Sequence, residues 1–78
     1  MQLTYDPRYN VAYVRFQEKA AEVESVRLSE AVVVDLAPDG TMYGIELLNA
    51  NEQLHGPGAE RLILTNEATG KRTEVTLP

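Results

Sequence analysis

The chain has 78 residues and no cysteine, with 44% hydrophobic and 24% charged residues and seven Lys and Arg against twelve Asp and Glu, a net charge of −5. These values describe a single domain over residues 1–78 with a thin core, because a chain this short buries only about 60% of its unfolded surface. They exclude disorder, disulfide staples and thiolate zinc sites, and the acidic balance with scattered basic residues argues against a surface that tracks nucleic-acid phosphates.

The first residues, Met1-Gln2-Leu3-Thr4-Tyr5-Asp6, lack the basic and apolar regions of a secretory leader, and no apolar run approaches the length of a membrane span. No membrane association and a bacterial-type cytoplasmic location are the expectation. Leu3 and Tyr5 alternate with Gln2, Thr4 and Asp6 in the period of a half-buried strand, which Asp6-Pro7 ends. Val11-Ala12-Tyr13-Val14-Arg15-Phe16 follows closely enough to pair with it as a hairpin, with Ala12, Val14 and Phe16 on the core face. Glu18 to Glu22 reads as a loop, and Val23 to Leu28 as an edge strand whose Glu24 and Arg27 discourage pairing with other chains.

Val32-Val33-Val34-Asp35-Leu36, the turn Pro38-Asp39-Gly40, and Thr41-Met42-Tyr43-Gly44-Ile45-Glu46-Leu47-Leu48 spell a central hairpin. A type I turn with Gly40 as a bulge sets Ala37 opposite Thr41, and an uninterrupted ladder then sets Val33 opposite Ile45. One face carries Ala31, Val33, Asp35, Tyr43, Ile45 and Leu47; the other carries Val32, Val34, Leu36, Met42, Gly44, Glu46 and Leu48. Both faces are then mostly apolar, so each needs a cover. One cover is a short helix near residues 49–55, with Asn49 as N-cap, Glu52 three positions on as in a capping box, and Gly56-Pro57 as its stop. The other is a second copy of the chain, and Val32, Val34 and Met42 are the candidate interface. Arg61-Leu62-Ile63-Leu64-Thr65 and Arg72-Thr73-Glu74-Val75-Thr76-Leu77 form a C-terminal hairpin. The predicted fold is mainly β, a β-rich α+β domain built as an antiparallel meander of hairpins with one short helix.

Leu3-Thr4-Tyr5-Asp6-Pro7 continuing into Ala12-Tyr13-Val14-Arg15-Phe16, then Val33-Val34-Asp35-Leu36, then Asp39-Gly40 leading to Gly44-Ile45-Glu46-Leu47-Leu48, together resemble a small bacterial and archaeal family, domain of unknown function 2283. The resemblance covers about residues 1–54 and leaves 61–78 as a C-terminal β-hairpin extension. It implies a compact, mainly antiparallel domain, with no established activity and no catalytic residues to carry over.

No segment carries a catalytic, cofactor or metal signature. Gly70-Lys71-Arg72-Thr73 fails as the end of a phosphate loop, because Thr65 stands where the first Gly belongs and the segment joins two strands. Asp35 and Glu46 fall on opposite faces in the register above, so they form no proton-sharing pair, and Glu46 is expected to meet Arg15 across the sheet. Tyr5, Tyr13 and Tyr43 supply aromatic packing. Glu52 and Glu60, the acidic residues nearest in sequence to His55, the one histidine, stand at no recognised ligand spacing from it. The expected function is protein–protein association as a homodimer, with a further protein as partner. The alternative is a small-molecule binder or minor enzyme, with a pocket at the dimer interface that includes Tyr13, Arg15, Glu46 and His55.

Overall fold

Short β-branched runs punctuated by Pro, Gly and Asn become seven strands in the computed structural model, which describes residues 1–18 and 22–77. The loop read over Glu18 to Glu22 includes 19–21, which lie outside the described residues. The strands are β1 (Gln2–Asp6), β2 (Val11–Arg15), β3 (Glu24–Arg27), β4 (Val32–Leu36), β5 (Met42–Leu48), β6 (Arg61–Thr65) and β7 (Arg72–Thr76), with one helical turn, α1 (Ala50–Gln53), after β5. The first five make one antiparallel sheet in the order β1-β2-β5-β4-β3, and β6 pairs with β7 alone. This is the expected meander with one short helix, and β3 is the edge strand its charges suggested.

The turns form through the residues that mark them. Asp6 accepts the Arg8 backbone N–H at 2.9 Å and the Arg8 guanidinium at 2.9 and 3.1 Å, which hold its carboxyl below the usual range. Asp39 accepts the Thr41 N–H at 3.0 Å and its hydroxyl at 2.6 Å, while Gly40 takes the positive φ of 86° that closes the loop. Ala37 bonds Thr41 as the turn geometry requires, its N–H 2.8 Å from the Thr41 carbonyl oxygen.

Past that point the expected register fails. Leu36 pairs with Met42 but Asp35 pairs with Gly44, so Tyr43 is an unmatched residue, and Val34, in place of Val33, stands opposite Ile45. A bulge of this kind inserts one residue into one strand and shifts every later pair by one, which exchanges the faces. The result is a sheet with one apolar and one polar face, correcting the expectation of two apolar ones. Across the apolar face runs the row Leu3, Val14, Ile45, Val34, Val26, flanked by Tyr5, Ala12, Leu47, Val32. The opposite face carries the rows Gln2, Arg15, Gly44, Asp35, Ser25 and Thr4, Tyr13, Glu46, Val33, Arg27.

The core is thin: among the described residues only Ala12, Ala37, Tyr43 and Ala50 are buried apolar side chains. The helix is anchored less by apolar area than by asparagines. Asn49 has the left-handed φ of 57° and no side-chain cap bond to the backbone; its amide donates instead to Glu52 Oε2 at 2.9 Å, so the expected capping box does not form. The cap comes from the β1–β2 turn, where Asn10, also at φ 57°, accepts the Asn51 N–H on its side-chain oxygen at 2.6 Å and the Ala50 N–H on its carbonyl at 3.1 Å. Asn10→Ala is expected to cost about 2 kcal/mol, half from the left-handed backbone and half from the lost cap. Asn10→Gly removes only the cap, so urea denaturation should show it losing about half as much; equal losses would deny that the backbone matters.

Candidate functional site

On the polar face, side chains from two strands, β2 and β3, converge on Asp35 of β4. The Tyr13 hydroxyl donates to Oδ2 at 2.7 Å and the Ser25 hydroxyl to Oδ1 at 2.6 Å, so both carboxylate oxygens are occupied from the two sides. Tyr13 reaches Asp35 diagonally, over Gly44, which lies between Arg15 and Asp35 in its row. A Cβ on Gly44 would collide with the Oη, Cζ and Cε2 atoms of the Tyr13 ring, so a residue with any side chain is excluded there while the ring lies flat. The bulge at Tyr43 thus has a structural consequence: it brings the side-chain-free position of β5 under the ring.

This arrangement ties three strands together through one carboxylate. Burial raises the Tyr13 phenol well above its ordinary pKa, and the Asp35 hydrogen bond and charge add to that, with smaller contributions from Tyr43 and Glu46. A phenol so disposed stays neutral and donating.

The other candidate residues are placed as follows. Glu46 stands beside Tyr13 and on the same face as Asp35, which corrects the opposite-face expectation. Arg15 shares that face, but it pairs with Gly44 and its guanidinium donates to Gln2 Oε1 at 3.0 Å; the expected Arg15–Glu46 ion pair is not among those of the described residues. The register sets Arg15 two pairs along the ladder from Glu46 and directly beside Gln2 in β1. His55 lies elsewhere: its Nδ1 is 3.0 Å from the Asn51 carbonyl oxygen and 3.4 Å from the Tyr5 hydroxyl, with ring centroids 5.7 Å apart. Tyr5 pairs with Ala12 and so belongs to the face opposite Tyr13. Tyr13, Arg15 and Glu46 are therefore together, and His55 is separated from them by the sheet. Among the described residues no group of three or more His, Cys, Asp and Glu gathers as a metal site, and no helix is long and apolar enough to cross a membrane.

The apolar face is incompletely covered. The C-terminal hairpin and the end of α1 lean over its β1–β2–β5 side and enclose a groove of about 390 Å³, lined by Leu3, Val14 and Leu47 from the sheet and by Leu54, Leu62 and Leu77 from the cover. Elsewhere apolar side chains also stay accessible, with Val26 of β3, Phe16 just beyond β2 and Met42 at the start of β5 all more than a third exposed, as is Leu3 in the groove. Val32 and Val34 of the candidate interface lie half-buried on this face, and Met42 pairs with Leu36 at the bulge.

The family model described as Protein of unknown function (DUF2283) matches residues 2–51, which include all five strands of the main sheet. The chain belongs to the DUF2283 family. No curated protein and no solved structure matches it. The DUF2283 match contains the Tyr13–Asp35–Ser25 link, Gly44 and the whole apolar face, and it ends inside α1. Leu54, Leu62 and Leu77, which cover the groove, come from beyond it.

Sequence reading missed the Tyr13–Asp35–Ser25 link and the Asn10 cap. A signal for the first was present: a glycine within an otherwise apolar strand marks a bulge or a close approach by another group, and Gly44 stands next to the bulge at Tyr43 and under the Tyr13 ring. Asn10, directly before a strand, offered the weaker sign of a residue that tolerates positive φ.

Proposed function

We propose that the protein works by association, as a homodimer whose copies meet through the apolar face of the five-stranded sheet, leaving the polar face outward for a protein partner. The observation that carries this reading is the surface the single chain leaves exposed. Its accessible area is 5944 Å², whereas a folded monomer of its 8.7 kDa exposes about 4,700 Å². The excess of about 1,200 Å² is more than the roughly 800 Å² that each partner contributes to a standard interface. The radius of gyration, 13.9 Å, likewise exceeds the roughly 11.5 Å of a compact chain of this length. Apolar residues contribute to the surplus, as Phe16, Val26, Leu28 and Met42 are all exposed. A cytoplasmic location remains part of this reading, on the strength of the sequence.

The alternative of a small-molecule site formed by Tyr13, Arg15, Glu46 and His55 has less support, because His55 lies across the sheet from the other three.

Sedimentation equilibrium tests the proposal. The wild-type chain is expected to be dimeric at about 10 μM, and Phe16→Asp, at a side chain already 43% exposed, to weaken the dimer by about tenfold or more without unfolding the monomer. A strictly monomeric wild-type chain at about 100 μM would overturn it.

A further inference from the structure

The C-terminal hairpin does not complete its own domain. Every residue of β6 and β7 is exposed, and a lone two-stranded hairpin is marginal in water without a surface to pack on. Its two faces differ. Pairing places Arg61, Ile63, Glu74 and Arg72 on one, where Glu74 is bridged by Arg72 at 2.7 Å and Arg61 at 3.6 Å. The other carries Leu62, Leu64 and Val75, which are 51%, 67% and 51% exposed. Leu62 reaches the groove at the base of the hairpin, but Leu64, toward the tip, is the most exposed of the three. The hairpin follows Gly56-Pro57-Gly58, where Gly58 takes a positive φ of 81°.

We propose that β6–β7 is an exchanged arm: the Leu62–Leu64–Val75 face of each copy packs on the open β4–β3 side of the apolar sheet face of a second copy, over Val34 and Val26. This rests on the homodimer reading and names the contact that makes it. Three observations select a second copy as the occupant. The apolar row from Leu3 to Val26 meets the chain's own hairpin across the groove at the Leu3 end, and at its other end Val26 stays 36% exposed while Leu64 of the arm is 67% exposed, so arm and landing site both carry apolar surface left to bury. The surplus area exceeds what each half of a standard interface gives up. The charges also complement. The segment from residue 61 carries three basic and two acidic residues and the remainder four basic and ten acidic, so a weakly positive arm meets a strongly negative body. Two-fold symmetry makes the exchange reciprocal and closes it at two copies.

Full-length variants test the arm by complementation in sedimentation equilibrium, with circular dichroism as the check on folding. Leu64→Asp, on the arm, and Val26→Asp, on the landing site, are each expected to weaken the dimer by about tenfold or more, since both arm–sheet contacts of a homodimer are then broken. An equimolar mixture of the two variants is expected to associate about tenfold more tightly than either alone, because the mixed dimer retains one contact with both sides native. If Val26→Asp fails to fold, the milder Val26→Ser takes its place in the mixture. Wild-type dimerisation by Leu64→Asp would overturn the arm while leaving a sheet-face dimer standing. Wild-type dimerisation by the landing-site variant would show the hairpins pairing with each other, and so overturn the exchange. Failure of the mixture to recover would do the same. A monomeric wild-type chain would remove the homodimer reading itself.

Discussion

Gly44→Ala is expected to destabilise the domain by about 3 kcal/mol, measured by urea denaturation, even though alanine is ordinarily tolerated at least as well as glycine inside a strand. The cost comes from one contact. The new methyl group would occupy the space taken by the Tyr13 ring, and the ring cannot move aside without giving up its 2.7 Å hydrogen bond to Asp35. Because a fold of 78 residues has only about 4–12 kcal/mol in total, this single methyl removes a large share. The double-mutant cycle isolates the cause. In a Tyr13→Ala background the same Gly44→Ala change is expected to cost less than about 1 kcal/mol, giving a coupling of about 2 kcal/mol between the two positions. Additive losses would mean that the ring is not what glycine accommodates.

Asp35→Ala is expected to cost about 1–2 kcal/mol by the same measurement, since it leaves the half-buried Tyr13 hydroxyl without its acceptor, while the exposed Ser25 hydroxyl turns to water. It also has a spectroscopic signature. In an alkaline ultraviolet titration of the four tyrosines, Tyr13 is expected to ionise above the ordinary phenol range near about pH 10. Removing Asp35 should lower that transition only in part, because burial, its largest cause, remains. The sign of the stability effect follows. A raised folded-state pKa means that the contribution of Tyr13 is present in full below about pH 10, the unfolded value, and is lost as pH rises through the folded value. Wild-type stability should therefore fall more steeply above about pH 10 than that of Asp35→Ala or Tyr13→Phe. Identical alkaline slopes would sink the assignment.

Both predictions concern residues that fold the sheet. The link from Ser25 through Asp35 to Tyr13 spans β3, β4 and β2 and passes over β5, so it stitches four strands on the polar side, while the apolar side is left to be closed by packing. A domain with four buried apolar residues among those described has little else to draw on. Rigidity from one face and unsatisfied apolar area on the other are what an association module of this size requires, and they give the dimer proposal its physical basis.

How much of this was legible beforehand differs element by element. Val11 to Arg15, Val32 to Leu36 and Arg72 to Thr76 announce themselves as strands through β-branched alternation, and Pro38-Asp39-Gly40 announces its turn, because these depend on φ, ψ preferences and on neighbours a few residues away. The short helix after Asn49 was equally local, although its capping was not: the side chain that accepts the Asn51 N–H belongs to Asn10, in the β1–β2 turn. The faces of the sheet were beyond local reading. A ladder counted outward from the turn gives Val33 opposite Ile45, and the single extra residue at Tyr43 makes it Val34.

The sequence by itself therefore determined the family, the strands, their turns and the antiparallel meander, since periodicity and turn chemistry act over a few residues. Only the tertiary structure decided which side of the sheet is apolar, that Asp35 and Glu46 share a face, and that the C-terminal hairpin lies beside the sheet without burying its leucines. The physical reason is that a one-residue bulge exchanges every side chain beyond it, and its position was selected by the Tyr13 ring crossing Gly44 to reach Asp35. Those three residues meet only after β2, β4 and β5 have come together.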